Sequence, residues 1–488
     1  MINTEKIKNQ ILRKAIQGKL VSQRLDEGTG VETLEQIRNY KKLRTDKKIL
    51  KKEKDFSPID SSAVPFDIPK TWEWCYLREL CEIVVGATPS TSEAKYWING
   101  TIFWLPSGCC KNDCVTENYP SIKKITQLGY DSCSTKMMKK DSTLIALTGA
   151  TVGKVGYLTF EACGNQSLVG IYPYSNIDPK FLYYYMMGCY EDILADCVGS
   201  AQPHISKEYI NGMLFPLPPL KEQKRIVEKL DTIFSELDSI SKSQTILDNL
   251  YHKLKNKILE LAFMGRLTEQ LAEEGSGNDL FECIQKEKKS LIGSGKLRNK
   301  KPSKSIDVRD IPFKIPTSWK WTRLSDIAQI NPKNDLDDEL EVGFIPMNLV
   351  GSGLTNNHSY EIRKWGQIKK GFTHFRNGDI AVAKITPCFE NKKSCIIKKL
   401  PNGVGAGTTE LYIIRGFKDY LCPEYVLWYF KTERFIKEGV LSFNSVVGQQ
   451  RVDKNYIPDL LFPLPPVKEQ IRIAKKIEKL MTICDSAF

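Results

Sequence analysis

From Ile226 onward, apolar residues recur at steps of three and four: Ile226, Leu230, Ile233, Leu237, Ile240, then Leu247, Tyr251, Leu254, Ile258 and Leu261. Only Gln244 interrupts the stripe, which persists for about five heptads and predicts a helix laid against a helical partner. Pro218 and Pro219 suit a helix start and Gly265 a stop, so the predicted helix occupies 216–264. A helix of about forty residues spans roughly 60 Å. That is a strut, longer than a core helix needs to be.

A long apolar stripe requires cover, and the chain supplies it in two pieces. The segment FPLPPLKEQ at 215–223 recurs as FPLPPVKEQ at 462–470, differing only at Leu220 against Val467, at a displacement of 247 residues from Phe215 to Phe462. After it, Ile473, Ile477, Leu480 and Cys484 repeat the spacing of Ile226, Leu230, Ile233 and Leu237. The same shift taken backwards places Leu254, Ile258, Ala262 and Gly265 on Ile7, Ile11, Ala15 and Gly18. The first helix, 1–21, therefore corresponds to the second half of the strut, and the last, 463–488, to its first half. The two chain ends are expected to form a second, split strut antiparallel to the intact one.

The framework repeats in order. Lysine-rich stretches at 41–54 and 286–304 read as solvated linkers within 22–64 and 265–310. VPFDIPKTWEW at 64–74 answers IPFKIPTSWKW at 311–321, the prolines suiting an extended lead-in and the tryptophans a core. Between each lead-in and each PLPP exit, at 65–215 and 311–462, the halves stop resembling each other. Leu144 to Leu147 and Ile380 to Ala383 read as strands, FLYYYM at 181–186 and YVLWYF at 425–430 as buried helix faces. Resemblance returns where Ala201 and Gln202 align with Gly448 and Gln449. The expected fold class is α+β: two globular mixed α/β domains separated by two long antiparallel helices in a coiled coil, a pseudo-two-fold tandem repeat with circularly permuted helix halves.

Composition narrows the function. With 488 residues, more than one domain is expected. Hydrophobic content of 41% and charged content of 26% describe a folded soluble chain. The net charge of +13 favours a polyanionic partner. The start, MINTEKIKNQ, has no apolar leader core and no run is long enough to span a membrane, so a cytoplasmic location is expected. Of 14 cysteines, those from Cys75 to Cys197 are crowded but form no C-x-x-C pair. Structural zinc at Cys109, Cys110, Cys114 and Cys133 is weighed and set below ordinary reduced thiols.

A frame kept while its inserts differ implies one scaffold presenting two recognition surfaces. The PLPP-KEQ motif opening a long helix, the TGATVGKVG segment at 148–156, the paired variable regions and the permuted helix halves resemble the DNA-specificity (S) subunit of type I restriction-modification enzymes. The resemblance covers essentially the whole chain. It implies that 65–215 and 311–462 are target recognition domains, each reading one half of a split, asymmetric site on double-stranded DNA. The helices would act as a ruler and as docking surface for two methyltransferase subunits, joined by restriction and translocase subunits. This chain would bind no cofactor; S-adenosylmethionine, ATP and Mg would sit on those partners.

A search for catalytic motifs agrees. GATVGKV at 149–155 is one residue short of a phosphate loop and lacks the following Ser or Thr, so it reads as a glycine turn between strands. GVGAG at 403–407 lacks a dinucleotide fingerprint's third spaced glycine. Glu222 with Lys224 suggests a nuclease pair, but the copy has Glu469 with Ile471. Candidate DNA contacts in the first insert are Lys111, Asn112, Lys123, Lys124, Lys136, Lys139, Lys140, Thr151 and Lys154. In the second they are Arg363, Lys364, Lys369, Lys370, Lys384, Asn391, Lys392 and Lys393. Cations would hold phosphates, and Asn and Thr would reach base edges. Methyltransferase docking is expected at Leu220, Glu222, Gln223, Val467, Glu469 and Gln470. Two other readings remain at this point: a specificity subunit of an architecture that fuses methyltransferase and nuclease, and a coiled-coil scaffold that never touches DNA.

Overall fold

The computed structural model describes residues 2–50, 58–198, 203–299, 303–443 and 448–486. The aligned Ala201 and Gln202, and parts of both lysine-rich stretches, lie outside the described residues. The chain divides into two compact units, Met1–Gln244 and Thr245–Phe488, and the helix Leu220–Phe263 runs through the boundary.

In the first unit, the helix Thr4–Ile16 runs antiparallel to the first half of that long helix. Lys8 pairs with Asp238, and the Gln244 side-chain amide brackets the backbone of Ile2. Leu12, Ala15 and Ile16 share a core with Ile226, Leu230, Trp72, Phe181 and Phe215. In the second unit, Lys255 pairs with Asp485 of the helix Val467–Ser486, antiparallel again. Ile258, Ala262 and Phe263 pack with Ile473, Ile477, Trp319, Tyr425 and Phe462. Gln244, the polar interruption, thus serves as a backbone clamp. The seam is not closed throughout: Leu247 and Leu254, expected under cover, are 46% and 50% exposed. The described C-terminal helix ends at Ser486, where its partner on the long helix is Lys255.

The linker expectation is corrected. Residues Gly30–Asp46 and Gly277–Gly293 form helices, started by reciprocal caps between Thr29 and Glu32 and between Ser276 and Asp279. Leu34 and Ile37, and Leu280 and Ile284, are buried. Arg38 donates twice to the buried Glu79 carboxylate, at 2.7 and 3.1 Å. A few apolar residues at helical spacing under many lysines suffice to dock such a helix.

Each lead-in is stapled to its exit. Glu73–Tyr76 pairs antiparallel with Leu214–Leu217, Trp74 opposite Pro216; Lys320–Arg323 pairs with Leu461–Leu464, Trp321 opposite Pro463. These ladders have two strands each, which lets proline sit within them. Trp72 and Trp319 are buried, as their core assignment requires. Gly18 and Gly265 end their helices at φ of 68° and 71°, and a Cβ there would lie 2.4 and 2.3 Å from the ring carbons of Pro69 and Pro316. Gly265→Ala and Gly18→Ala are each expected to cost at least about 1 kcal/mol from the backbone alone, read as a lowered thermal midpoint. An unmoved midpoint in both would refute this tight fit.

The inserts share a plan that their sequences conceal. In the first, one sheet orders Cys81–Val85, Leu168–Pro173, Thr143–Ala146, Val155–Leu158 and Asp113–Val115, and a second orders Lys123–Ile125, Ile102–Leu105 and Cys163–Gly164. In the second insert, one sheet orders Ala328–Ile330, Leu411–Gly416, Ile380–Ala383 and Ser394–Ile396. The other orders Glu361–Lys364, Glu341–Ile345, Val404–Gly407 and Thr373–Arg376. The second-named sheets share an antiparallel then a parallel pairing about the strands Ile102–Leu105 and Glu341–Ile345, while Asp113–Val115 is added to the first-named sheet in the first insert and Thr373–Arg376 to the second-named sheet in the second. The glycine segment 149–153 is a turn between antiparallel strands. The predicted helix faces lie in Pro179–Gly188 and Pro423–Phe430.

Candidate nucleic-acid interface and frame contacts

Several frame contacts recur atom for atom. Arg225 forms a bidentate pair with Glu27 at 2.9 and 2.6 Å and donates to Ser22 O; Arg472 does so with Glu274 at 3.0 and 2.7 Å and with Glu269 O. Gln23 Nε2 bridges Gly18 O and Glu222 Oε1, and Gln270 Nε2 bridges Gly265 O and Glu469 Oε1. Each contact is displaced by the same 247 residues as the sequence repeat.

This geometry redefines the KEQ motif. Glu222, Gln223, Glu469 and Gln470 are buried. Gln223 accepts from Asp178 N and donates to Pro218 O; Gln470 accepts from Cys422 N and donates to Pro465 O. Glu469 also accepts from the Trp319 indole at 2.9 Å. Burial holds the Glu222 and Glu469 carboxyls above the usual range, opposed by the Gln23 and Gln270 amides. These four side chains fasten the helix starts to their own inserts and to the segments holding Gln23 and Gln270. Leu220 and Val467 are half-buried. Exposed apolar area on the long helix lies instead at Ile246, Leu247, Leu250 and Leu254.

The candidate DNA contacts fall into two kinds. In the first insert, Lys111, Lys123, Lys124, Lys136 and Lys140 are exposed and, among the described residues, have no carboxylate in ion-pair range. Lys111 lies over Tyr119, Lys123 over Trp97 and Lys124 over Phe103, the last at 4.4 Å. Lys139 pairs with Glu82 and covers Tyr172. Asn112, at φ 61°, accepts from Val155 N, and the Thr151 hydroxyl points to Ser107 O at 3.5 Å; both serve the fold. Lys154 is half-buried.

In the second insert most candidates already have partners. Arg363 pairs with Glu361 at 2.6 Å and stacks on Phe344 at 3.8 Å; Lys364 pairs with Glu339, Lys369 with Asp338, and Lys392 with Glu433. Glu339 holds the Lys364 ammonium above its ordinary range, and Lys392 holds the Glu433 carboxyl below its own. Lys393 Nζ donates to Met347 O, and Lys384 covers Tyr412. Lys370 and Asn391 are exposed. Glu339, Asp338 and Glu433 come from elsewhere in the chain, out of reach of a count of cations along the sequence, whereas Glu361 lies two residues from Arg363 on the same strand. That count also missed Lys95, stacked on Tyr96.

No group of three or more metal-ligating side chains forms among the described residues. Cys109 and Cys110 are buried in an apolar core, while Cys133 Sγ faces the backbone of Gly129 and Tyr130. Burial raises the Cys110 thiol well above its ordinary value.

The family described as type I restriction modification DNA specificity domain matches residues 69–248 and 316–486, one stretch around each insert. The chain belongs to this family. Among its relatives, the specificity subunit of the type I restriction enzyme EcoAI of Escherichia coli is 42% identical over 54% of this chain and 46% of its own length. That of EcoEI, also from Escherichia coli, is 42% identical over 48% and 39%. The chain thus spans about half the length of these curated relatives, or less. A solved structure described as the basis of complex assembly and conformational transition of the type I restriction-modification system has a TM-score of 0.55 at 16% identity, covering 87% of this chain and 93% of its own. That likeness establishes the fold. The first matched stretch takes in its insert and the first part of the helix Leu220–Phe263, the second its insert and the helix Val467–Ser486. No described helix is long and apolar enough to cross a membrane.

Proposed function

We propose that this chain is the DNA sequence-specificity subunit of a type I restriction-modification enzyme, each insert reading one half of an asymmetric bipartite site. The observation that carries the reading is a frame in which the Arg225–Glu27 and Gln23–Glu222 contacts recur as Arg472–Glu274 and Gln270–Glu469, around inserts that share a core of strand pairings and differ in side chains. Such a scaffold holds two unlike surfaces in equivalent settings. Membership of the specificity-domain family supports it, as does the basic charge.

Two methyltransferase subunits would dock on the helices, where Ile246, Leu247, Leu250 and Leu254 offer apolar area, and restriction subunits would join them. Catalysis belongs to these partners, with S-adenosylmethionine, ATP and Mg, in the cytoplasm. Exchanging residues 65–215 for the first domain of another specificity subunit is expected to change one half of the methylated motif and leave the other intact, read by methylome sequencing of cells carrying the methyltransferase subunit. Alteration of both halves, or no split motif in the parent, would sink the reading.

A further inference from the structure

We propose that the edge strand flanking Ile102–Leu105 in the first insert, Lys123–Ile125, and the edge strand flanking Glu341–Ile345 in the second, Glu361–Lys364, are the elements that grip the DNA phosphate backbone, so that both inserts present the equivalent edge to the duplex. The proposal rests on the DNA-binding reading above and adds to it a location.

Neither stretch aligns with the other in sequence. Their equivalence is topological: each pairs antiparallel with a central strand whose other side carries a parallel strand, and each has no strand on its outer side among the described residues. Both carry adjacent cations, Lys123 with Lys124 and Arg363 with Lys364. Successive strand residues point to opposite faces. Lys124 stands opposite Phe103 and lies on its ring; Lys123 stands opposite Trp104 and lies over Trp97, which packs edge-on against Trp104. Arg363, opposite Val342, lies on Phe344, the residue opposite Glu361. Each strand thus carries a cation on either face of an open edge; an aromatic ring supports Lys123, Lys124 and Arg363, while Lys364 is held by Glu339.

An open strand edge with cations on both faces suits a polyanion that passes alongside. Lysines also occur on edge strands merely to block pairing with other chains. The aromatic supports and the recurrence in two inserts of unrelated sequence favour the phosphate role. The inserts are not equal, since Glu361 and Glu339 engage Arg363 and Lys364 while Lys123 and Lys124 have no such carboxylates among the described residues. The first edge should therefore contribute more to the salt dependence of binding.

The test uses the full chain co-purified with its methyltransferase subunits and a mixed-sequence duplex, with affinity measured across a salt series. Each phosphate contact contributes about 0.9 to the log–log slope. Lys123→Gln with Lys124→Gln should flatten the slope by roughly 1.8, and Arg363→Gln with Lys364→Gln by less. Glu361→Gln, which releases Arg363, should steepen it. An unchanged slope in the lysine variant, with the parent assembly still binding, overturns the location and leaves the functional reading standing. Self-association of that variant without a slope change means the lysines only guard the edge, and also overturns it. Failure of the parent assembly to bind any duplex overturns both.

Discussion

Asp379→Asn is expected to remove about 3 to 5 kcal/mol of stability, the cost of breaking a buried ion pair from one side. Asp379 is 1% exposed and Arg415 8%. The guanidinium donates from Nε at 2.9 Å and from Nη2 at 2.7 Å, and Asp379 also accepts from Arg376 N at 2.8 Å. A further guanidinium bond, to Asn334 Oδ1, ties in the segment whose backbone N–H donates to His374 Nδ1. The neutral amide leaves a charged guanidinium buried with no counter-ion. Urea denaturation followed by tryptophan fluorescence should show the Thr245–Phe488 unit unfolding earlier, with the Met1–Gln244 transition unmoved. Adding Arg415→Met should recover much of the loss, because the stranded charge goes with it. An unshifted midpoint in the single variant would show that the pair contributes nothing.

The second large effect is a dependence on pH. Lys431 is fully buried and its Nζ donates to Lys392 O at 2.7 Å and Ser394 O at 2.9 Å. Burial depresses its ammonium from 10.5 to about 7. Between those values the unfolded chain holds a proton that the folded chain has released, so stability rises with pH across that window. At 1.36 kcal/mol for each unit of displacement, the full gain is about 5 kcal/mol. The neutral amine keeps two N–H groups, enough for both carbonyls. Denaturation midpoints of the second unit from pH 7 to pH 10, at fixed ionic strength, should rise with pH in the parent relative to Lys431→Met, in which the buried Cys395 and Cys422 thiols, held above their ordinary range, lower stability as pH rises. Equal slopes in both proteins would exclude Lys431 as the source.

Much of the architecture was legible because the chain states it twice. A displacement that keeps Gly18 with Gly265, Pro69 with Pro316 and Glu222 with Glu469 forces equal contacts, and the structure delivers them pair by pair. Heptad spacing located the long helix, and short β-rich runs located Thr143–Ala146 and Ile380–Ala383. The sites were less legible. Lys364 and Lys369 look like free cations in sequence; folding sets Glu339 and Asp338 against them. Glu222 and Gln223 look like a polar surface motif, yet the helix start turns them inward onto Gln23, Asp178 and Pro218.

The sequence by itself determined the duplicated frame, the permuted helix halves and the presence of two unlike inserts, because periodicity and internal repetition are properties of order along a chain. Only the tertiary structure decided that the inserts share a core of strand pairings, that the KEQ side chains are internal fasteners, and which lysines keep a free charge. Those depend on which strands and loops come to lie side by side, and burial and ion pairing act through space between residues far apart in the chain.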